Sequence, residues 1–342
     1  MLSSKLRAPP GPEEVGELKV SESMSSERPP ERLRLAYPKA LEFQDRGALY
    51  TPTGELPFRQ LHGKPLSLEG LIDLELAWRI AASFEEPAAV LVKRSLPRRL
   101  AAARSVEEAL SRLYRRLCRW RRGKEEELFH QGMIGLNRPV SPEAAQLLTR
   151  QLIDGVIAPG YGERALEALQ ERKGLPLIEA RPPEELQPRS QPDEPSELHL
   201  RSLGQGWGVL AWYPPPEPRL SQELKPAGRW EPSPQQGEDL LLAWRLLRWA
   251  PAEAAVVVKE RELVGLAAYQ ATSLEAVELA LRQAGELAQG AALAAGSPFD
   301  ERDPVDLGGV FLLGAILVPR GGKRDPELIR AADEHHIALV FA

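Results

Sequence analysis

A lysine ends each of two short apolar runs, Val90-Leu91-Val92-Lys93 and Val256-Val257-Val258-Lys259. In α/β sheets ligands bind beyond the carboxyl ends of strands, so both amines are candidate ligand-site groups, Lys93 before Lys259. The plainer alternative is a lysine that carries its charge out to water from a strand end. Two glycine turns, Pro159-Gly160-Tyr161-Gly162 and Pro319-Arg320-Gly321-Gly322, precede stretches of helical character. Helix N-termini favour anions, but neither turn matches GxxxxGK[ST] or a full GxGxxG, so plain strand-to-helix turns are preferred. The histidines are His62, His130, His199, His335 and His336. None has HExxH or other ligand spacing, and no metal site is expected. There is no GxSxG, and the single cysteine, Cys118, lies in an arginine-rich stretch, so neither a nucleophilic triad nor a disulfide is supported.

Residues 93–124 hold twelve Lys or Arg against Glu107 and Glu108, a local charge of +10 in a chain of net charge −5. Val106, Ala109, Leu110, Leu113, Leu117 and Trp120 form one helical stripe, and Arg112, Arg115, Arg116, Arg119 and Arg122 form the other. The bland reading, which we prefer, is a solvated face paired with acids elsewhere in the fold. The sharper one is a docking surface for RNA, a phosphorylated ligand or an acidic protein.

These groups need a scaffold, and an internal repeat supplies it. Residues 73–93 (DLELAWRIAASFEEPAAVLVK) and 239–259 (DLLLAWRLLRWAPAEAAVVVK) agree at 11 of 21 positions without a gap. Asp73/Asp239, Trp78/Trp244, Arg79/Arg245 and Lys93/Lys259 are among them. Each copy shows helical periodicity, a break at proline, and then a β-branched run, which predicts helix, turn and buried strand. Gly155-Val-Ile-Ala-Pro159 and Gly314-Ala-Ile-Leu-Val-Pro319 echo one another as strand, glycine loop and helix. The chain therefore reads as two copies of an α/β unit, with mixed sheets covered by helices.

At 342 residues, 43% hydrophobic and 27% charged, the composition is that of a globular protein of about two domains. No apolar run reaches the ~18 residues of a membrane span, and the first residues lack a signal peptide's apolar stretch, so a cytoplasmic protein is expected. Residues 1–31, polar and rich in Pro, Ser and Glu, are expected to be a disordered tail. The expected division then runs 32–184 for the first unit, 185–236 for a Pro-rich linker with excursions, and 237–342 for the second unit.

Several ordered blocks resemble the AICAR transformylase half of the bifunctional purine-biosynthesis enzymes. They are Gly63-Lys-Pro-Leu-Ser67 with Ile72–Arg79, Glu86–Lys93, Leu136-Asn-Arg-Pro-Val140, Asp154–Tyr161, Asp239–Lys259 with Leu263-Val-Gly265, and Ala331–Phe341. The resemblance covers roughly 35–342 and implies a fold of duplicated cytidine-deaminase-like units without zinc. It also implies a homodimer with sites between subunits, and 10-formyltetrahydrofolate as the formyl donor of an active member. The IMP cyclohydrolase half of those enzymes has no counterpart here.

The departures fall on the family's polar groups. Its Lys-His-x-Asn-Pro-Cys-Gly loop is Lys93-Arg94-Ser95-Leu96-Pro97-Arg98-Arg99 here. The resemblance places Arg94 at the proton-moving histidine, and an arginine stays protonated, so it cannot act as a base. Ser67 begins the stretch aligned with a Ser-Tyr-Asn-Asn block, Glu253 stands at an asparagine, and Gln270 ends a former Gly-Ala-Gly-Gln. These three are the substrate-binding candidates and Lys93 the catalytic one. The leading expectation is a catalytically degenerate relative with binding or structural work and no cofactor. The alternatives are an active AICAR formyltransferase with a rearranged site, and an RNA- or acidic-partner-binding protein acting through residues 105–122.

Overall fold

The computed structural model describes residues 58–115, 131–181, 197–204, 207–213, 224–321 and 323–342. The expected tail 1–31 lies outside the described residues. So do Arg116, Arg119 and Arg122.

The first unit runs β1 (Phe58–His62), α1 (Leu68–Ala82), β2 (Ala88–Lys93), β3 (Leu96–Ala102), α2 (Val106–Arg115), β4 (Met133–Leu136), α3 (Pro142–Thr149), β5 (Gly155–Ala158), α4 (Glu163–Gln170) and β6 (Leu177–Ala180). β7 (Glu197–Gly204) and β8 (Trp207–Tyr213) form a separate antiparallel hairpin. The second unit runs α5 (Pro234–Leu247), β9 (Ala255–Lys259), β10 (Glu262–Ala267), α6 (Ser273–Ala284), β11 (Ala292–Ala295), α7 (Asp303–Val310), β12 (Ala315–Val318), α8 (Asp325–Glu334) and β13 (Ala338–Phe341). From α1 and from α5 onward the order of elements is the same. Residues ahead of α5 already belong to the second unit's sheet, since Ala227 donates to the Leu339 carbonyl at 2.7 Å and Pro226 bridges Val340.

Eleven strands form one mixed sheet in the order β1-β6-β5-β4-β2-β3-β10-β9-β11-β12-β13. Within each unit an antiparallel hairpin (β2–β3, β9–β10) is followed by parallel strands (β4–β6, β11–β13). The units join edge to edge where β3 and β10 pair antiparallel at Ala101↔Glu262. α1 and α5 share one core on one face of the sheet, with Ala77, Ile80, Leu240 and Leu246 packed on Val90, Val92, Val256 and Val258. On the other face α2–α4 and α6–α8 cover separate cores. The parallel strands are buried on both sides, as their near-continuous apolar sequences require. Gly135 and Gly265 let helices approach the sheet closely; a Cβ there would meet the Ala77 and Ala280 carbonyl oxygens at 2.3 and 2.1 Å.

Strand directions fix which groups share an edge. β2 to β3, β3 to β10, β10 to β9 and β9 to β11 are all antiparallel, so β11–β13 run in the direction of β2. The carboxyl end of β2, with Lys93, therefore lies on the same edge as the carboxyl ends of the second unit's parallel strands; we call it the upper edge. Lys259 lies on the lower edge, with the carboxyl ends of β4–β6.

Candidate functional site

The two lysine turns are built alike. Lys93 pairs with Leu96 and Lys259 with Glu262, leaving two-residue loops, Arg94-Ser95 and Glu260-Arg261. All four loop residues have φ between 52° and 62°, as a type I′ hairpin turn needs at both central positions. Non-glycine residues stay there because a buried carboxyl on the preceding helix holds them. Asp73 accepts from the Arg94 and Ser95 amides at 2.9 and 2.6 Å. Asp239 accepts from the Glu260 and Arg261 amides at 2.9 and 2.7 Å. Burial pushes both carboxyls above their ordinary pKa, and the amide bonds offset part of that rise.

Lys93 is half-buried and forms an ion pair with Asp154, just before β5. It ends β2, but it stands at the amino ends of β4 and β5, so within its own unit it is on the opposite edge from the crevice expected for a ligand. Arg94 is exposed. Arg98, the third residue of β3, has its guanidinium pKa lowered by burial and then by the Arg94 charge. Ser67 caps α1, accepting from the Gly70 amide at 3.0 Å. Lys259 donates to the Gln289 carbonyl at 2.6 Å.

Glu253 and Gln270 are adjacent. The Gln270 amide donates to the Glu253 carbonyl at 3.2 Å, the same backbone bond that Ala103 makes to Pro87 at 3.0 Å in the first unit. The Gln270 side chain is turned back on the Ala268 carbonyl at 2.7 Å. Glu253 lines a cavity of about 610 Å³ with Thr272, Ser273, Ser297, Asp300 and Gly321, among others. It opens at the upper edge, past the carboxyl ends of β11 and β12 and at the N-termini of α6 and α7, the place where open α/β sheets take ligands. Glu253 Oε2 is buried and accepts no hydrogen bond. Among the described residues, the cavity wall carries Glu253, Asp300 and Glu301 and no basic side chain. From β2 to β9 there are three interstrand spacings, so Lys93 lies roughly 14 Å along the edge from this cavity.

The matching place in the first unit is filled. Asn137, directly after β4, accepts from the Ala88 amide at 2.8 Å and donates to the Phe84 and Glu86 carbonyls at 2.8 and 2.7 Å. Gly296 occupies the equivalent position after β11 and offers no side chain. The Tyr161 hydroxyl donates to the Val156 and Ile178 carbonyls at 2.9 and 3.1 Å, and burial raises its pKa. The Gly162 amide donates to Val140 at 3.0 Å, and the Gly321 amide to Asp325 at 3.0 Å. Both glycine turns thus have amides engaged within the fold. On the arginine-rich helix, Arg112 pairs with Glu108 at 2.6 Å, and Arg115 is the last residue of α2.

Sequence reasoning singled out Lys93, Arg94, Ser67, Glu253 and Gln270. The structure brings the first two together at one turn and the last two at another place on the same edge. It missed the carboxyl partners Asp73, Asp239 and Asp154. The signal for the first two was present, since Asp73 and Asp239 recur at fixed distance from the turns they hold. Among the described residues no group of three or more His, Cys, Asp or Glu could hold a metal, and no helix is long and apolar enough to cross a membrane.

Comparison with known proteins places this architecture. Residues 40–283 match the AICARFT/IMPCHase bienzyme family. The bifunctional purine biosynthesis protein PurH of Cyanothece sp. is 31% identical over 283 residues, 82% of this chain and 51% of that protein. Those of Halalkalibacterium halodurans and Bacillus subtilis are each 32% identical, over 83% and 82% of this chain and 52% of the relative. The chain spans about half the length of the curated relatives it matches. One form of Acinetobacter baumannii RibD overlaps 31% of the chain at 21% identity and a TM-score of 0.22, too slight a likeness to argue from. With the family match spanning most of the described sheet, the chain belongs to the AICARFT/IMPCHase bienzyme family.

Proposed function

We propose that this member of a purine-biosynthesis family has given up formyl transfer and works as a binding protein through the upper-edge cavity of its second unit. The observation that carries this reading is the turn after Lys93. In the family pattern that loop supplies a histidine, an asparagine and a Cys-Gly pair. Here it is a two-residue hairpin turn pinned by Asp73, built in the same way as the Lys259 turn of the other unit. Arg94 occupies the base position and cannot take a proton from an attacking amine at neutral pH. The Lys93 ammonium is engaged by Asp154.

The residues present also fit the family's formyl donor poorly. A reduced folate ends in glutamate carboxylates and a nucleotide in phosphate, whereas the described residues of the cavity wall include three carboxyl groups and no cation. The substrate-binding candidates are reassigned accordingly: Ser67 caps a helix, Gln270 closes a turn, and Glu253 faces the cavity. A homodimer remains the expected assembly by resemblance to the family.

The runner-up, an active AICAR formyltransferase with Lys93 as its inherited catalytic group, is separated by complementation. A purine auxotroph lacking the transformylase should not grow on this chain. Growth that disappears with Lys93→Ala would establish the runner-up instead. A role of the arginine-rich helix in RNA binding predicts affinity that falls steeply with salt, and its absence at low salt dismisses that role.

A further inference from the structure

We infer that the tip of the first unit's hairpin is an anion site in its own right, where the guanidinium groups of Arg94 and Arg98 clasp a phosphoryl group. Lys93, at the base of that tip, lies roughly 14 Å along the upper edge from the second-unit cavity. The inference does not depend on what that cavity binds.

Arg98 is half-buried. Among the described residues it is the one half-buried lysine or arginine without a hydrogen bond, ion pair or ring contact. The others are engaged: Arg172 donates to the Gln151 carbonyl at 2.9 Å, and Arg302 pairs with Asp306 and Glu334. Taking a charge partly out of water without a partner is unfavourable, so a position that keeps one points to a partner from outside the chain. Arg94 stands on the same hairpin tip. Lys93 pairs with Leu96, Val92 with Pro97 and Leu91 with Arg99, which makes Arg98 the extra residue of a β-bulge just below the turn. Burial lowers the Arg98 pKa and the Arg94 charge lowers it further, against an opposing influence of Asp73.

The carboxyl groups that serve this turn are committed. Asp73 accepts from the Arg94 amide with Oδ2 and from the Ser95 amide with Oδ1, and Asp154 holds Lys93. The second unit, built on the same turn, shows the alternative. Val258 pairs with Leu263 and Val257 with Gly265, so its bulge residue is Val264, buried with Ala276 and Val277 of α6. Its turn arginine, Arg261, is met by Glu86 and by Glu238. The second unit thus answers its turn cation from within and puts an apolar residue at the bulge, whereas the first presents two cations that no described side chain pairs. Neither comes with the family loop, which has a histidine and a cysteine at these positions. Two guanidinium forks match the charge and the three oxygens of a phosphoryl dianion. A carboxylate, with one charge and two oxygens, satisfies only one fork.

The test uses the full chain at low ionic strength, with inorganic phosphate, phosphoserine and acetate as probes in isothermal titration calorimetry. Phosphate should bind saturably at one site per chain, and acetate at least about tenfold more weakly. Binding of phosphoserine as well assigns the site to a phosphoryl group carried on a larger molecule; binding of phosphate without it assigns the site to the free ion. Arg98→Val, which installs the residue of the second unit's bulge, should weaken phosphate by about tenfold or more. Arg94→Ala should weaken it by a smaller factor. Arg282→Ala, which removes an equal charge at the far end of α6, should leave the affinity within about twofold. Thermal melting separates a lost site from a lost fold: phosphate should raise the melting temperature of the unaltered chain and leave that of folded Arg98→Val where it was. Should Arg98→Val fail to fold, Arg98→Gln provides the second variant, with the same loss expected. The inference is overturned if phosphate fails to saturate by about 10 mM, if acetate binds as tightly, if the Arg98 and Arg94 variants leave the affinity unchanged, or if Arg282→Ala weakens it equally.

Discussion

The same strand-to-helix junction of the two units carries an asparagine in one and a glycine in the other. After β4, Asn137 joins three backbone groups of the α1–β2 connection and fills the crevice. After β11, Gly296 brings no side chain to the α5–β9 connection, where an added Cβ would meet the Ala254 carbonyl oxygen at 3.7 Å. At the opposite ends of the hairpins the units are alike, with Asp73 and Asp239 holding turns of the same kind. The repeated unit thus keeps the bonds that hold its hairpin turns and differs at the junction after its first parallel strand. The polar residues retained from the family blocks support that division, because Asn137, Tyr161 and the two aspartates all bond backbone groups, Asp239 with a further bond from the Gln235 side chain.

The largest effect expected from this contrast is Asn137→Ala. It strands one amide and two carbonyls, and should cost about 2–4 kcal/mol in denaturant unfolding. Gly296→Asn, the reciprocal change, should alter stability by less than about 1 kcal/mol. Equal costs for the two would break the comparison.

Next come Asp73→Ala and Asp239→Ala. Each leaves two turn amides without their acceptor in a left-handed loop, and each should cost about 2 kcal/mol. A large difference between them would show that the two turns are not equivalent. Their pH dependence sharpens the point. Both carboxyls titrate above 3.8 in the folded chain, so the folded state holds the proton more tightly than the unfolded state. Stability contributed by each is therefore highest below the unfolded pKa and is lost as pH rises through the folded value. The cost of Asp239→Asn should accordingly shrink as pH rises through the folded-state pKa of Asp239. Glu107 behaves oppositely: the Ser141 hydroxyl donates to it and lowers its pKa. Its contribution is lost as pH falls, and Ser141→Ala should remove that component from the acid limb of a stability profile.

Much of the frame was legible in the sequence because it rests on local patterns. The repeat at 73–93 and 239–259 gave helix, turn and strand, and Lys93 and Lys259 are the last residues of β2 and β9. The edge on which each lysine lies was not legible. It depends on the antiparallel pairing of β3 with β10, a contact between residues far apart in the chain. For the same reason the sequence pointed to Lys93 as a ligand group at its own unit's crevice, whereas it shares an edge with the other unit's cavity. Glu253 was found by its place in a family block, but the cavity it lines is assembled from the residues around the α6 and α7 N-termini and Gly321, far apart in the chain. β1, Phe58–His62, pairs at the far edge of the sheet and lies outside the family blocks, the first of which begins at Gly63.

The smallest effects belong to the lysines. Both side chains are partly exposed, so Lys93→Ala and Lys259→Ala should each change stability by less than about 1 kcal/mol, and by similar amounts. The most direct test of the central claim is formyl transfer from 10-formyltetrahydrofolate to AICAR, followed with the purified chain and with its Lys93→Ala variant. The account predicts no turnover above the uncatalysed rate in either. Turnover by the unaltered chain that Lys93→Ala abolishes would contradict it.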